Sequence, residues 1–87
     1  MNFMALWHVY VLKLKDGSLY TGIARDVERR LEAHNAGKGS KAVRSRRPAK
    51  VVYTQAFRTM SAALKREAEI KGWKRADKLA LVARRKK

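Results

Sequence analysis

The residue of this sequence that most needs explaining is Glu67. On a helical wheel of the segment from about Ser61 to Lys71, Met60, Ala63, Leu64 and Ile70 form one apolar stripe. Glu67 sits in its middle, while Lys65, Arg66 and Glu69 take the outer side. A carboxylate in an apolar stripe is costly unless paired or metal-bound. Glu67 therefore reads either as an ion pair with Arg30 or Lys71, or as a metal ligand or catalytic acid. Arg30 stands out next. At about 100° per residue it lies roughly 60° from Val27 and roughly 40° from His34, whereas Arg29 points away from that face. An arginine at the edge of a buried face is either a snorkelling or ion-paired residue, or a grip for an anion. Tyr10 and Tyr20 complete the set, either as plain packing or as acid-base groups. Carboxylate, guanidinium and phenol together suit hydrolysis at a phosphoryl centre, which needs charge stabilisation, an activated water and help for the leaving oxygen.

These side chains need elements to hold them. Trp7-His-Val-Tyr-Val-Leu-Lys-Leu14 and Leu19-Tyr-Thr-Gly-Ile23 are rich in β-branched and aromatic residues and read as two strands. Lys15-Asp-Gly17 between them suits a three-residue hairpin loop with Gly17 in the left-handed position. That loop sets the register: Leu14 faces Ser18, Leu12 faces Tyr20 and Tyr10 faces Gly22. The two tyrosines then share one face of the sheet, and Gly22 leaves room across from Tyr10. A two-residue turn would put them on opposite faces. Both faces of the first strand are mostly apolar, so it should be covered on both sides.

Asp26 is placed to cap a helix running to about Asn35. Gly37-Lys-Gly39 ends it, and Ser40 to Arg47 is a basic stretch with space for one helical turn. Pro48 precedes a third strand, Val51 to Phe57. A helix from about Ser61 to Lys71 breaks at Gly72, and Ala76, Leu79, Ala80 and Val82/Ala83 suggest a last helix that runs out in Arg84-Arg-Lys-Lys87. The expected fold class is α+β, a small three-stranded antiparallel sheet packed with helices on its faces.

With these residues in place the chain resembles the GIY-YIG nuclease family, seen in homing endonucleases and in the N-terminal domain of the excision-repair nuclease subunit. His8-Val-Tyr10 stands at the first motif and Tyr20-Thr-Gly22 at the second. Thr21 to Asn35 is similar to the family's arginine helix, and Ala63 to Lys71 to its glutamate helix. The likeness covers roughly residues 7 to 73, with a basic helix from about 74 to 87 beyond it. It is greatest to the short stand-alone bacterial YhbQ-like branch, which often carries a Gly-Lys-Gly-x-Lys segment like Gly37 to Lys41. His8 replaces the first-motif glycine and Thr21 the second-motif isoleucine, and the late asparagine of some members has no equivalent. The resemblance implies that Tyr10 and Tyr20 are active-site tyrosines, Arg30 the catalytic arginine and Glu67 the ligand of one divalent ion, Mg²⁺ or Mn²⁺. His34 matches a frequent family position. A lone carboxylate suffices for such an ion, which takes its other ligands from water and substrate.

Composition points the same way. The chain has 87 residues, enough for one domain, and a formal net charge of +15. Such a charge costs stability by self-repulsion, so a polyanionic partner is its natural explanation. The basic residues are spread along the chain rather than gathered on one amphipathic helix, which favours nucleic acid over a membrane surface. Lys38, Lys41, Arg44, Arg46 and Arg47 are the candidate phosphate contacts, with Gly37 and Gly39 letting the backbone approach the duplex closely. The absence of cysteine agrees with a reducing cytoplasm. No leader-like start and no transmembrane run are expected. The combined expectation is a metal-dependent endonuclease on DNA, structured or damaged DNA in repair or recombination included, acting as a monomer or weak homodimer. The alternatives are an RNA substrate, a catalytically inactive nucleic-acid binder of the same fold, and a basic adaptor for an acidic protein.

Overall fold

The computed structural model describes residues 6–85; the reading of the N-terminal segment and of the final Lys86-Lys87 lies outside them in residues 1–5 and 86–87. Two strands, β1 (Trp7–Lys13) and β2 (Leu19–Ala24), open the fold and are followed by the helices α1 (Val27–Asn35) and α2 (Lys41–Arg44). Then come β3 (Lys50–Phe57), α3 (Met60–Lys71) and α4 (Arg75–Arg85). The sheet is antiparallel with order β2-β1-β3. The fold is thus α+β, as its sequence indicates.

The hairpin has the expected loop. Leu14 N donates to Ser18 O at 2.9 Å, and Gly17 takes φ of 87°. Asp16 ties the loop by accepting from the Ser18 backbone N at 3.0 Å and the Ser18 hydroxyl at 2.6 Å. Its carboxylate also meets Arg46 at 3.0 Å. The register follows, with Tyr10 opposite Gly22 and Leu12 opposite Tyr20. On the other side of β1 the pairing shifts between Val11 and Leu12, which oppose Tyr53 and Val51. Val52 is left as the extra residue of a β-bulge.

As the central strand, β1 is covered on both faces, and successive residues serve different cores. Tyr10, Leu12 and Leu14 join Val43 and Ala49, with Tyr20, Ala24, Val27, Leu31 and Val51 packed around them. Val9 joins Ala63, Ile70 and Leu81, flanked by Trp7, Ile23, Tyr53, Phe57 and Trp73. So α1 and α2 cover one face, α3 and α4 the other. Asp26 caps α1 by accepting from Arg29 N at 3.0 Å, and Thr59 caps α3 in the same way from Ala62 N at 3.1 Å.

Two wheel readings need correction. Only Ala63 and Ile70 of the α3 stripe are buried; Met60 and Leu64 are 46% and 43% exposed. Arg66, expected on the outer side, is half-buried, with its guanidinium over the Trp73 ring at 5.1 Å and donating to Gln55 and Glu69. The helix meets the sheet along a narrow line, so a stripe four residues wide does not all reach it. Among the described residues of α4 the buried one is Leu81, and Leu79 is exposed.

Candidate active site

Tyr10 is the hub. Its ring is 1% exposed. It lies across the gap left by Gly22, where an added Cβ would fall 2.6 Å from its hydroxyl oxygen and 2.8 Å from Cζ. Tyr20 is on the same face, the ring centroids 6.5 Å apart. From α1, His34 closes the cluster, 6.2 Å from the Tyr10 centroid and 5.4 Å from that of Tyr20. His34 is fully buried, and its Nε2 is hydrogen-bonded to the Tyr10 hydroxyl at 3.1 Å. Its other ring nitrogen, Nδ1, is buried without a partner.

The charges of Arg30 and Glu67 both act on the same phenol. Burial pushes the Tyr10 phenol above its ordinary pKa. The Arg30 guanidinium opposes the shift, the neighbouring Tyr20 adds to it, and the carboxylate of Glu67 adds again. Burial, and then Arg30, push the His34 imidazole below its usual value of 6.5, so the ring is neutral at pH 7. Arg30 as a residue is exposed. The wheel reading that set Arg30 beside His34 agrees with this arrangement.

Of the two ion-pair partners open to Glu67 in the sequence, the structure pairs it with Lys71. The Nζ lies 3.1 Å from Oε2, in the i,i+4 relation along α3, and the Glu67 side chain is 17% exposed. Among the described residues no three His, Cys, Asp or Glu side chains gather into a metal cage. A half-buried carboxylate, 17% exposed, nevertheless fits a hard divalent ion that keeps most of its waters. Lys71 Nζ is the cation on that carboxylate here, and it is the member of the site that wheel geometry named without placing.

The basic segment after α1 divides into two groups. Arg46 is bound to Asp16 and donates to Ala42 O at 3.1 Å. Arg47 donates to Arg44 O at 2.8 Å and Asn35 O at 3.2 Å. These two guanidiniums fold the loop. Lys38, Lys41 and Arg44 are exposed along it. The glycines also differ from expectation. Gly37 has φ of 82°, a left-handed backbone, and lies under Arg47. Gly39 faces inward, onto the His34 ring, rather than outward to a duplex.

Comparison with known proteins gives the family. The model of the GIY-YIG catalytic domain matches residues 6–80. The chain is 51% identical over 76 residues to a UPF0213 protein of Staphylococcus saprophyticus, covering 87% of this chain and 93% of that one. A UPF0213 protein of Staphylococcus aureus is 52% identical over 77 residues, 88% of this chain and 94% of its own. The solution NMR structure of the UPF0213 protein from Bacillus halodurans superposes with a TM-score of 0.59 at 44% identity, covering 90% of this chain and 83% of that chain. That of a protein from E. faecalis gives 0.58 at 40% identity, with 84% and 78% covered. The chain belongs to the GIY-YIG family, a nuclease family, and carries its catalytic domain over most of its length.

Proposed function

We propose that this protein is a divalent-metal-dependent endonuclease that hydrolyses phosphodiester bonds in DNA. The observation that carries this reading is the buried hydrogen bond between the Tyr10 hydroxyl and His34, with the charges of Arg30 and Glu67 acting on the same phenol. Tyr10 is the base toward the attacking water. Its phenolate is held by Arg30 and by donation from the His34 Nε2–H tautomer. Arg30, open to solvent, grips the phosphoryl oxygens as negative charge builds on them. Tyr20 stands beside Tyr10 on the same face, the ring centroids 6.5 Å apart. Glu67 holds Mg²⁺ or Mn²⁺, which when bound supplies charge neutralisation at the phosphoryl oxygens. Neutralising Glu67 also removes one of the groups that raise the Tyr10 pKa. Lys38, Lys41 and Arg44 hold the backbone on either side of the cut. Structured or damaged DNA of the kind met in repair and recombination is the proposed substrate class.

The test is incubation of plasmid, branched DNA and RNA with wild type and Glu67→Gln, each with Mg²⁺, Mn²⁺ or excess chelator. Wild type should cut only with metal. Glu67→Gln should not cut, yet should melt within a few degrees of wild type, because a half-exposed ion pair with Lys71 adds little stability. Cutting in chelator, or a Glu67→Gln variant with an unchanged rate, would overturn the reading. The second reading, a nucleic-acid binder without catalysis, is favoured by one observation: Lys71 already holds the carboxylate. Salt-sensitive binding without cleavage under any metal would establish it.

A further inference from the structure

We infer that Gly39 is a positioning residue for the base, holding the His34 imidazole against Tyr10 and joining that pair to the cationic loop. The inference rests on the reading of Tyr10 as base. The His34 ring is gripped at both ends. Its Nε2 meets the Tyr10 hydroxyl at 3.1 Å. Its opposite edge meets Gly39, where an added Cβ would collide with Nδ1 and lie 2.6 Å from Cε1 and 2.9 Å from Cγ. The ring is fully buried, so it has no solvent to swing into. Any side chain at position 39 must therefore drive the imidazole along its own axis toward Tyr10, or lift the loop off.

Gly39 is glycine for space rather than for backbone freedom. Gly37 has a left-handed φ, and no such φ occurs at Gly39. The contact also explains why the buried Nδ1 lacks a polar partner: Gly39 lies against that edge, and Nδ1 has no hydrogen bond. An orphaned buried acceptor is tolerated more readily than an orphaned N–H. This favours the tautomer whose proton is on Nε2, pointing at Tyr10.

The segment is anchored on both sides of Gly39. Lys38 N donates to Ala33 O at 2.9 Å, and Ser40 caps α2 by accepting from Ala42 N at 3.0 Å. Lys38 and Lys41 project from this same short stretch. A phosphate bound to either lysine loads the segment that backs His34. Gly39 thereby joins the stretch that carries the two lysines to the ring that meets the Tyr10 hydroxyl.

The test uses full-length Gly39→Ala, His34→Ala and the double variant, with ¹⁵N-resolved spectra of the His34 ring beside cleavage kinetics on duplex DNA. Gly39→Ala should move the His34 ring resonances as Tyr10→Phe does. It should lower kcat by about 10²-fold, the scale of a misplaced catalytic group, while KM stays within about twofold. In the double variant the alanine at position 39 has the space of the missing ring. That protein should fold and cut no worse than His34→Ala alone, the signature of two residues acting as one. Should wild type prove unable to cut, the nuclease reading falls and the spectra alone decide. Displaced His34 resonances in Gly39→Ala sustain the positioning role. Unchanged resonances, an unchanged kcat, or additive losses in the double variant overturn it.

Discussion

Val9 and Tyr10 are neighbours on one strand and almost equally buried, yet they belong to regions of different character. Val9 faces Ala63, Ile70 and Leu81, a core that α3 and α4 close with apolar atoms. Tyr10 faces His34 across a polar contact, beside a buried ring nitrogen with no partner. Buried polar groups left without a partner are rare and cost stability. The first face therefore holds the domain together, and the second carries, at some cost in stability, the Tyr10–His34 pair on which the proposed function rests. Because β1 is central and alternates sides with every residue, the rigidity of one face is passed to the other without any intervening loop.

The comparison breaks most decisively on Ile70→Ala. This truncation of a fully buried side chain should cost about 2–5 kcal/mol and lower Tm steeply in so small a domain. Below its melting range the variant should still bind duplex DNA with wild-type salt dependence. A variant that melts normally but fails to bind would mean that the two faces do not divide the work. Arg30→Ala should do the reverse. The residue is exposed, so stability should barely move, while cleavage falls by about 10²–10³-fold. Most duplex affinity should survive on the remaining cations, and a loss of affinity matching the loss of rate would reduce Arg30 to a binding residue.

The basic loop offers a finer cut. Replacing Lys38, Lys41 and Arg44 with alanine should flatten the plot of log K against log salt by about 0.9 for each phosphate that is no longer neutralised. Arg46→Ala should act through the fold instead, because its guanidinium is committed to Asp16 and Ala42. Equal slopes for the triple variant and wild type would move the nucleic-acid face elsewhere.

The smallest effect is in pH. Burial lowers the His34 pKa from 6.5, so as pH falls the unfolded chain takes up this proton before the folded one. By linkage the domain is at full stability above about pH 6.5 and loses stability as pH falls through the folded pKa. His34→Gln should remove that slope, which chemical denaturation at a series of pH values would show; a slope that persists would assign it to another group.

Local spacing carried much of this architecture. Lys15-Asp-Gly17 determined the hairpin register, and the register alone put Tyr10 and Tyr20 on one face. Asp26 announced α1, and the spacing from Val27 brought Arg30 and His34 to the same side. What spacing could not supply was the angle at which a helix meets the sheet. The wheel of α3 named the correct apolar side, but the narrow contact buries Ala63 and Ile70 and leaves Met60 and Leu64 outside. Gly39 was read as making space for a duplex because its inward neighbour, His34, is brought to it only by the turn at Gly37. Likewise the partners of Arg46 and Arg47 lie on segments that no local pattern connects to them.

The gap over Gly22 also bears on how such a sequence can change over generations. The phenol of Tyr10 fills the space that any side chain at position 22 would need, so the glycine of the second motif is a requirement imposed by the tyrosine of the first. Neither position can drift alone. A lineage that abandons the tyrosine for a small residue releases the glycine at once, and a lineage that first loses the glycine must evict the ring. Two residues that look like separate marks in the sequence are thus inherited as a single character.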